Sequence, residues 1–283
     1  MLITATLLLT LGAIAADLFV WLRRLRREPS APLRRLFAVW CLVSDLLPFS
    51  IAIVNWLSHD NTTPVMAFSM WAFWLYLVLV LPRLLYYVFR LCRLPRAGAA
   101  AGVALAAVFV WGATCGRTTL VVNRVTVQSE RLPESFEGFR VAQFSDVHVG
   151  SMVNPERELR RLVDTLNALR PDLVVFCGDL VNIRASELDG RVREILAGLE
   201  APCGVYSVTG NHDVGVYIRD TLSMPPAENL SRLVAAQRSM GWYVLEDTTA
   251  YIVRGRDSIA LTGISFDAEL QEFRHSFHLP DLD

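Results

Sequence analysis

Three short polar clusters in the second half of the chain carry side chains that could bind metal ions. Each cluster follows an apolar run typical of a buried β-strand. The clusters are Asp146-Val147-His148, Gly178-Asp179 and Gly210-Asn211-His212-Asp213. Carboxylate and imidazole ligands without thiolates suit Mn, Fe or Zn, and a single carboxylate such as Asp179 can bridge two ions. These residue types predict a site for divalent metal ions.

The elements between the clusters explain how residues so distant in sequence could meet. Asn154 is a suitable N-cap for a helix that begins at Pro155 and carries an apolar stripe at helical spacing. The predicted strands are 121–127, 139–144, 173–177, 204–209, 243–245, 251–254 and 259–264, and the predicted helices are 155–169, 187–199, 228–240 and 268–277. In an α/β fold of this kind, the carboxyl ends of parallel strands meet at one edge of the sheet. We therefore expect the three clusters to converge there.

Each residue taken alone has an ordinary structural explanation. Asp146 or Asp179 would fit a turn-capping role, and a single histidine is often a satisfied structural side chain. Three such clusters in register, each directly after a strand, favour the metal site. Cys177 and Cys203 flank neighbouring strands, but buried free thiols are a simpler expectation for them than a disulfide.

The three clusters resemble the D-x-H, G-D and G-N-H-D/E blocks of the calcineurin-like metallophosphoesterases, in the same order and with similar spacing. The resemblance covers about residues 138–266 and implies an α/β metallophosphoesterase domain, a β-sandwich flanked by helices, that binds two divalent metal ions (Mn, Fe or Zn). It implies Asp146 and His148 as ligands of the first ion, Asp179 as the bridging ligand, Asn211 as a ligand of the second ion, His212 facing the substrate phosphate and Asp213 orienting His212.

The reaction implied by this resemblance is hydrolysis of a phosphate ester by a metal-activated water, without a covalent enzyme intermediate. The family pattern continues with a further histidine and a G-H-x-H block, which the sequence up to Asp283 does not contain. His278 is followed by Leu-Pro-Asp, as in one family block, but 273–277 lacks the apolar strand that should precede it. We therefore leave His278 out of the ligand set and expect the domain, 117–283, to be truncated at its C-terminus.

The first 116 residues form a different domain. Four apolar stretches, 2–22, 36–57, 65–89 and 98–116, each approach the roughly 20 helical residues needed to cross a bilayer. They predict a four-helix transmembrane region, as in a membrane-anchored branch of the same superfamily. A cleavage signal near Ala13-Ile14-Ala15 is the alternative for the first stretch, but no positive segment precedes it.

Charge predicts how the chain lies in the membrane. Arg-rich segments follow the first and third stretches, at 23–35 and 90–96, whereas 58–64 has no arginine. The positive-inside rule makes the Arg-rich loops cytoplasmic, so a multi-pass protein of the plasma or inner membrane would carry its second half on the outer or periplasmic face. All 27 basic residues are arginine and 28 residues are acidic. The sequence therefore has no basic stripe of the kind that binds nucleic acid, and we expect no nucleic acid partner.

Asp17 and Asp45 lie within predicted spans, where an unpaired carboxylate costs about 2.5–3.5 kcal/mol at the bilayer centre. Arg83 is a candidate partner for Asp17. Interhelical pairing is the simpler interpretation. A polar site inside the bundle, as in a transporter or channel with an outer regulatory domain, is the alternative.

The sequence as a whole predicts a membrane-anchored, divalent-metal-dependent phosphoesterase. Its expected partners are the lipid bilayer and a phosphate-ester substrate, with an envelope lipid or isoprenoid phosphate as candidates because the domain is tethered at the bilayer. The alternative is a catalytically inactive membrane sensor or scaffold that binds a phosphorylated ligand without hydrolysing it.

Overall fold

The chain divides into a helical unit and an α/β unit. The computed structural model describes residues 2–23, 26, 29–267 and 272–273, and the side chains of 2–5, 7, 267, 272 and 273 are left aside. The helical unit comprises Met1–His59 and Pro64–Thr119. The α/β unit comprises Leu120–Asp283 together with the four residues Asp60–Thr63, which lie between two helices of the other unit in sequence.

In the part of the helical unit that the structure describes, there are four α-helices. They are α1 (Leu2–Arg23), α2 (Ala31–Leu57), α3 (Thr63–Leu91) and α4 (Pro95–Trp111), the last continued by a π-helical turn (Gly112–Gly116). Three helices of the described part are long and apolar enough to cross a membrane, namely Ala31–Leu57, Thr63–Leu91 and Pro95–Gly116. They match the second, third and fourth predicted spans. The first predicted span coincides with α1, which has 22 residues.

Arg83 links three of these helices through buried polar contacts. Its Nη2 lies 2.9 Å from Asp17 Oδ2 on α1 and 3.0 Å from Asp45 Oδ1 on α2. Its Nη1 donates to Ser44 Oγ at 2.8 Å, and the Tyr87 hydroxyl donates to Asp17 at 2.7 Å. The predicted pairing of Asp17 with Arg83 is confirmed. Because the carboxylates are paired inside the unit, the contacts favour interhelical pairing over a transport site.

The α/β unit is built on a four-stranded parallel sheet. The strands are β1 (Val141–Phe144), β2 (Leu173–Cys177), β3 (Val205–Val208) and β4 (Tyr243–Val244), in the order β1-β2-β3-β4. The helices α5 (Pro155–Ala168), α6 (Gly190–Leu196) and α7 (Pro226–Ser239) lie between them in sequence. Asn154 accepts a hydrogen bond from Arg157 N at 3.0 Å, which confirms the predicted cap of α5.

The two faces of the sheet have different neighbours, as alternation along β2 shows. Val174 and Phe176 are buried in the main core with residues of α5, α6 and α7. Leu173 belongs to a second core that contains Ile252, with Val175 packed against it. Ile252 lies in an antiparallel hairpin formed by β5 (Thr248–Arg254) and β6 (Asp257–Gly263). In the described residues, the expected β-sandwich is thus a parallel sheet covered by a hairpin.

Two predicted elements differ from the structure. Residues 121–127 form no strand: Val121, Val125 and Val127 are 75–84% exposed. Among the described residues, no strand forms hydrogen bonds with this segment. The predicted helix 268–277 is wrong at 272–273, because β8 (Glu272–Phe273) pairs with β7 (Phe266–Asp267). The rest of that helix, and His278, lie outside the described residues.

Candidate metal centre

The loops after β1, β2 and β3 come together through main-chain hydrogen bonds. Asp146 N donates to Gly178 O at 3.0 Å, and His148 N donates to Asp179 O at 3.1 Å. The third loop joins through His212 N, which donates to Asp179 Oδ1 at 2.9 Å. The predicted convergence at the carboxyl edge of the sheet is therefore observed.

His148, Asp179 and His212 form the centre of the site. Each can offer a ligand atom such that all three atoms lie within 4.8 Å of one another. His148 Nε2 lies 3.9 Å from Asp179 Oδ2 and 3.8 Å from Asp146 Oδ1, too far for hydrogen bonds. An imidazole nitrogen between two carboxylates at this spacing fits a cation held among them. Asp146 lies at the rim, with its side chain 67% exposed.

One imidazole of the site is fixed by a main-chain carbonyl. His212 Nδ1 lies 2.7 Å from Asn182 O, so Nδ1 is the protonated nitrogen in the neutral ring and Nε2 is left with a free lone pair. The ring also packs between His148 and Tyr217, with centroid distances of 4.5 and 4.4 Å. A carbonyl that fixes Nδ1 in this way is expected when a histidine binds a metal or transfers a proton through Nε2.

Three of the predicted ligands have left-handed backbones. The φ angles are 55° at Asp146, 44° at His148 and 65° at Asp179. Positive φ is uncommon outside glycine, although Asp and His adopt it more readily than most residues, and such strain clusters at functional sites. The fold holds these three side chains in place at a cost to backbone conformation.

Two glycines allow the second and third loops to approach each other. Gly178 has φ of 92°, and a Cβ built on it would lie 2.6 Å from Gly210 N. A Cβ on Gly210 would lie 2.7 Å from Asp179 N and would also collide with the Asp179 carboxylate. Only glycine fits at these positions, because the two main chains are almost in contact.

Asp213 organises main chain rather than the imidazole. Its fully buried carboxylate accepts hydrogen bonds of 2.8–3.2 Å from four amides, those of Asp179, Leu180, Val181 and Gly210. Burial raises the pKa of this carboxyl to about 6, while the backbone hydrogen bonds oppose the rise. The predicted orienting contact to His212 is replaced by the Asn182 carbonyl, because both carboxylate oxygens of Asp213 are directed at these amides.

The Glu187 carboxylate also binds main-chain amides of the loops near the site, and the sequence does not predict this role. Its carboxylate accepts from four amides at 2.6–3.3 Å, those of Gly150, Asn182, Ile183 and Arg184. It therefore joins the loop after His148 to the segment whose carbonyl holds His212. Only the fold reveals this role, since a glutamate three residues after Arg184 resembles an ordinary helix start.

Asn211 is held by a residue that the sequence analysis also misses. Its Nδ2 donates to the Tyr217 hydroxyl at 2.8 Å, which leaves its Oδ1 available to a cation. Of the six predicted site residues, His148, Asp179 and His212 thus share one space, and Asp146 lies beside His148. Asn211 is linked to the group through Tyr217, and the buried Asp213 binds the main chain of the loops.

Comparison with known proteins agrees with this geometry. The family model for calcineurin-like phosphoesterases matches residues 139–279. A Danio rerio "Transmembrane protein with metallophosphoesterase domain" is 35% identical over 162 residues, which is 56% of this chain and 34% of that protein. The uncharacterized metallophosphoesterase YkuE of Bacillus subtilis is 38% identical over 93 residues, 32% of each chain.

A relative with a named activity also matches. The UDP-2,3-diacylglucosamine pyrophosphatase LpxG of Chlamydia trachomatis is 35% identical over 98 residues, 34% of this chain and 30% of that one. The matched parts span about a third of the length of these relatives. No solved structure matches the chain significantly. From residue 139 onward, the chain belongs to the calcineurin-like phosphoesterase family.

Proposed function

We propose that this protein is a membrane-anchored, divalent-metal-dependent phosphoesterase. The observation that supports the proposal best is the convergence of His148, Asp179 and His212 on one space, with two of the three held at left-handed backbone angles. In a purely structural cluster, we would expect side chains this close to hydrogen-bond to one another, but His148 Nε2 and the Asp179 carboxylate lie 3.9 Å apart.

The donor set fits two divalent ions of the Mn, Fe or Zn type. His148 and Asp146 would hold one ion, Asn211 the other, and Asp179 would lie between them. When bound, such ions lower the pKa of a water molecule and neutralise charge on the phosphoryl oxygens. Once it is protonated on Nε2 as well, His212 would donate a proton or a hydrogen bond to the ester through Nε2, since Nδ1 is held by the Asn182 carbonyl.

We propose a phosphate ester or pyrophosphate of a membrane lipid as the substrate. Two observations support this class: the relative named as a pyrophosphatase of a diacylated nucleotide sugar, and the three apolar helices that precede the site in sequence. An envelope lipid or an isoprenoid phosphate meets this description.

We place the site on the outer or periplasmic face, as the positive-inside rule predicts if α1 also crosses the membrane. Single-cysteine variants retaining either Cys92 or Cys115 test this, because both thiols are exposed and lie at opposite ends of α4. An impermeant maleimide added to intact cells should label Cys115 and not Cys92. The reverse pattern would contradict the proposed sidedness.

The catalytic proposal is tested with the full chain purified in detergent, using aryl phosphate monoesters and diesters with Mn²⁺. Asp179→Asn should lower kcat/KM by more than about 100-fold, because the loss of a metal ligand reduces activity at least as much as the loss of a residue that hydrogen-bonds to a ligand. Asp164→Asn, an exposed carboxylate on α5, is the matched control and should leave kcat/KM unchanged. Bound Mn²⁺ without hydrolysis of any ester would favour the inactive sensor instead.

A further inference from the structure

Tyr217 touches two site residues although it is not a metal ligand. Its hydroxyl accepts the hydrogen bond from Asn211 Nδ2 at 2.8 Å, and its ring lies 4.4 Å from that of His212, tilted by 35°. The side chain is 46% exposed, so burial of apolar surface does not explain its position. A half-exposed tyrosine with these two contacts bears directly on how the site is arranged.

The hydroxyl decides which end of the Asn211 amide faces the cation. An asparagine side chain has one carbonyl oxygen, which can bind a metal, and one amino group, which cannot. With Nδ2 donating to Tyr217, the oxygen is directed away from the tyrosine and is available to the second ion. Without that acceptor, the amide loses its orientation and the ligand is presented only part of the time.

The ring of Tyr217 acts on His212. The hydrogen bond from Nδ1 to Asn182 O fixes one nitrogen, and the tilted tyrosine ring packs against the imidazole at 4.4 Å between centroids. Together they restrict rotation of the ring about χ2. One tyrosine thus contacts both the proposed ligand of the second ion and the proposed proton donor.

The loop that carries Tyr217 is held by a short segment far away in sequence. Asn61 Nδ2 donates to Tyr217 O at 2.7 Å, and Arg219 N donates to Asn61 Oδ1 at 2.9 Å. A single buried amide therefore makes two main-chain hydrogen bonds that fix residues 217–219. These residues are 156 and 158 positions from Asn61.

Asp60 reinforces the same attachment. Its carboxylate pairs with both terminal nitrogens of Arg184, at 2.7 and 2.8 Å, and accepts from Asp220 N at 3.3 Å. Arg184 directly follows the segment 182–183 that Glu187 binds. Asp60-Asn61 therefore connects the Tyr217 loop to the segment that holds His212.

We propose that Tyr217 is a positioning residue of the metal centre that orients Asn211 and His212, and that Asn61 keeps Tyr217 in that position. The inference rests on the proposed function, and it adds a residue pair that neither the sequence motifs nor the family match assigns. It makes the polar segment between α2 and α3 a structural part of the catalytic site.

The test is Mn²⁺ binding to the full chain in detergent, followed by calorimetry and by electron paramagnetic resonance. Tyr217→Phe removes the hydroxyl and keeps the ring. The affinity for the second Mn²⁺ should fall about 10-fold, as expected when a residue that hydrogen-bonds to a metal ligand is changed. The unfolding temperature should not change. Tyr243→Phe, an exposed tyrosine on β4, is the matched control and should bind Mn²⁺ as wild type does.

Asn61→Asp tests the second half of the proposal, because it removes the donor to Tyr217 O and keeps the acceptor for Arg219 N. Asn61→Asp should also lower the affinity for the second Mn²⁺. Asn123→Ala, which changes an exposed asparagine before β1, should leave that affinity unchanged. For both site variants, excess Mn²⁺ should restore kcat, which a general loss of folding would not allow.

The outcomes separate the two proposals. If the wild-type chain binds no Mn²⁺, the proposed function fails. If it binds Mn²⁺ and Tyr217→Phe binds it equally well, the positioning role of Tyr217 is overturned while the proposed function stands. If only Asn61→Asp is neutral, Tyr217 acts without the segment 60–61.

Discussion

At the scale of single residues, the metal centre depends on two loop backbones that nearly touch. Gly178 and Gly210 allow this approach, and the carboxylates of Asp213 and Glu187 hold the loops by eight main-chain hydrogen bonds between them. Each such bond contributes on the order of 1 kcal/mol, and more when the acceptor is charged. The proposed ligands are therefore positioned by main chain that is itself held by hydrogen bonds.

Gly210→Ala should disrupt the site selectively. The new methyl group would lie 2.7 Å from Asp179 N and would displace the Asp179 carboxylate, so we expect Mn²⁺ affinity and kcat/KM to fall by at least about 10-fold. Gly190→Ala is the matched control, since nothing lies within 4 Å of its added methyl group. Calorimetric Mn²⁺ titration measures both. Unchanged affinity in Gly210→Ala would contradict the proposed position of Asp179 in the site.

The sequence indicates the candidate ligands but not the residues that hold them in position. Asp146, His148 and Asp179 follow strands directly, and their chemistry is visible in their residue types. Asn182 acts through its carbonyl, a group that every residue carries, so no side-chain pattern indicates it. Tyr217 is an exposed aromatic residue in a loop, and its importance comes from neighbours brought together only by folding.

At the scale of elements, the sequence predicts a strand correctly where an apolar run is buried on both faces. It fails where a strand would depend on a hydrogen-bonded neighbour. The predicted strand 173–177 coincides with β2, because an apolar run buried on both faces in a parallel sheet has few alternatives. Residues 121–127 have the alternation of a strand, but strands need hydrogen-bonded neighbours, and sequence periodicity does not report those. The attachment of Asp60-Asn61 is likewise invisible to local patterns.

The ion pair between Asp60 and Arg184 should give stability a specific pH dependence. The hydrogen bond from the Arg184 guanidinium holds the pKa of the Asp60 carboxyl below its usual value of 3.8. Stabilisation by a carboxyl with a lowered pKa is fully present above the unfolded pKa and is lost as pH falls through the folded pKa. Asp60→Asn should therefore lower the unfolding temperature by about 3 °C at pH 7, for roughly 1 kcal/mol lost.

Thermal unfolding of the full chain in detergent, followed from pH 3 to pH 8, checks this expectation. The difference between wild type and Asp60→Asn should be constant above about pH 5 and should shrink as the pH falls below 3.8. Asp164→Asn should show no such pH-dependent difference. A difference that grows on acidification would rule out the ion pair as its source.

At the scale of the whole molecule, the helical unit needs its own polar centre. Arg83 neutralises one charge of the pair Asp17 and Asp45, and the three residues come from three different helices. The sequence predicts the pairing because few basic residues lie inside the apolar stretches. Its geometry, with one guanidinium between two carboxylates, depends on how the helices pack.

Arg83→Gln should destabilise the helical unit by about 3–5 kcal/mol, because it leaves the buried carboxylate of Asp17 and the partly buried carboxylate of Asp45 without a counter-charge. Arg96→Gln, an exposed residue at the start of α4, should have little effect on stability. Adding Asp17→Asn and Asp45→Asn to Arg83→Gln should recover much of the loss. Resistance to unfolding in mixed detergent micelles measures the series, and an unstable triple variant would show that the charges have a role beyond mutual compensation.

The left-handed backbones at Asp146, His148 and Asp179 also have an evolutionary consequence. Glycine adopts such angles freely, so exchange to glycine would relieve the backbone at each of these three positions. The same exchange would remove a carboxylate or an imidazole from the candidate site. A relative that has lost metal binding is therefore expected to carry glycine at one or more of these positions.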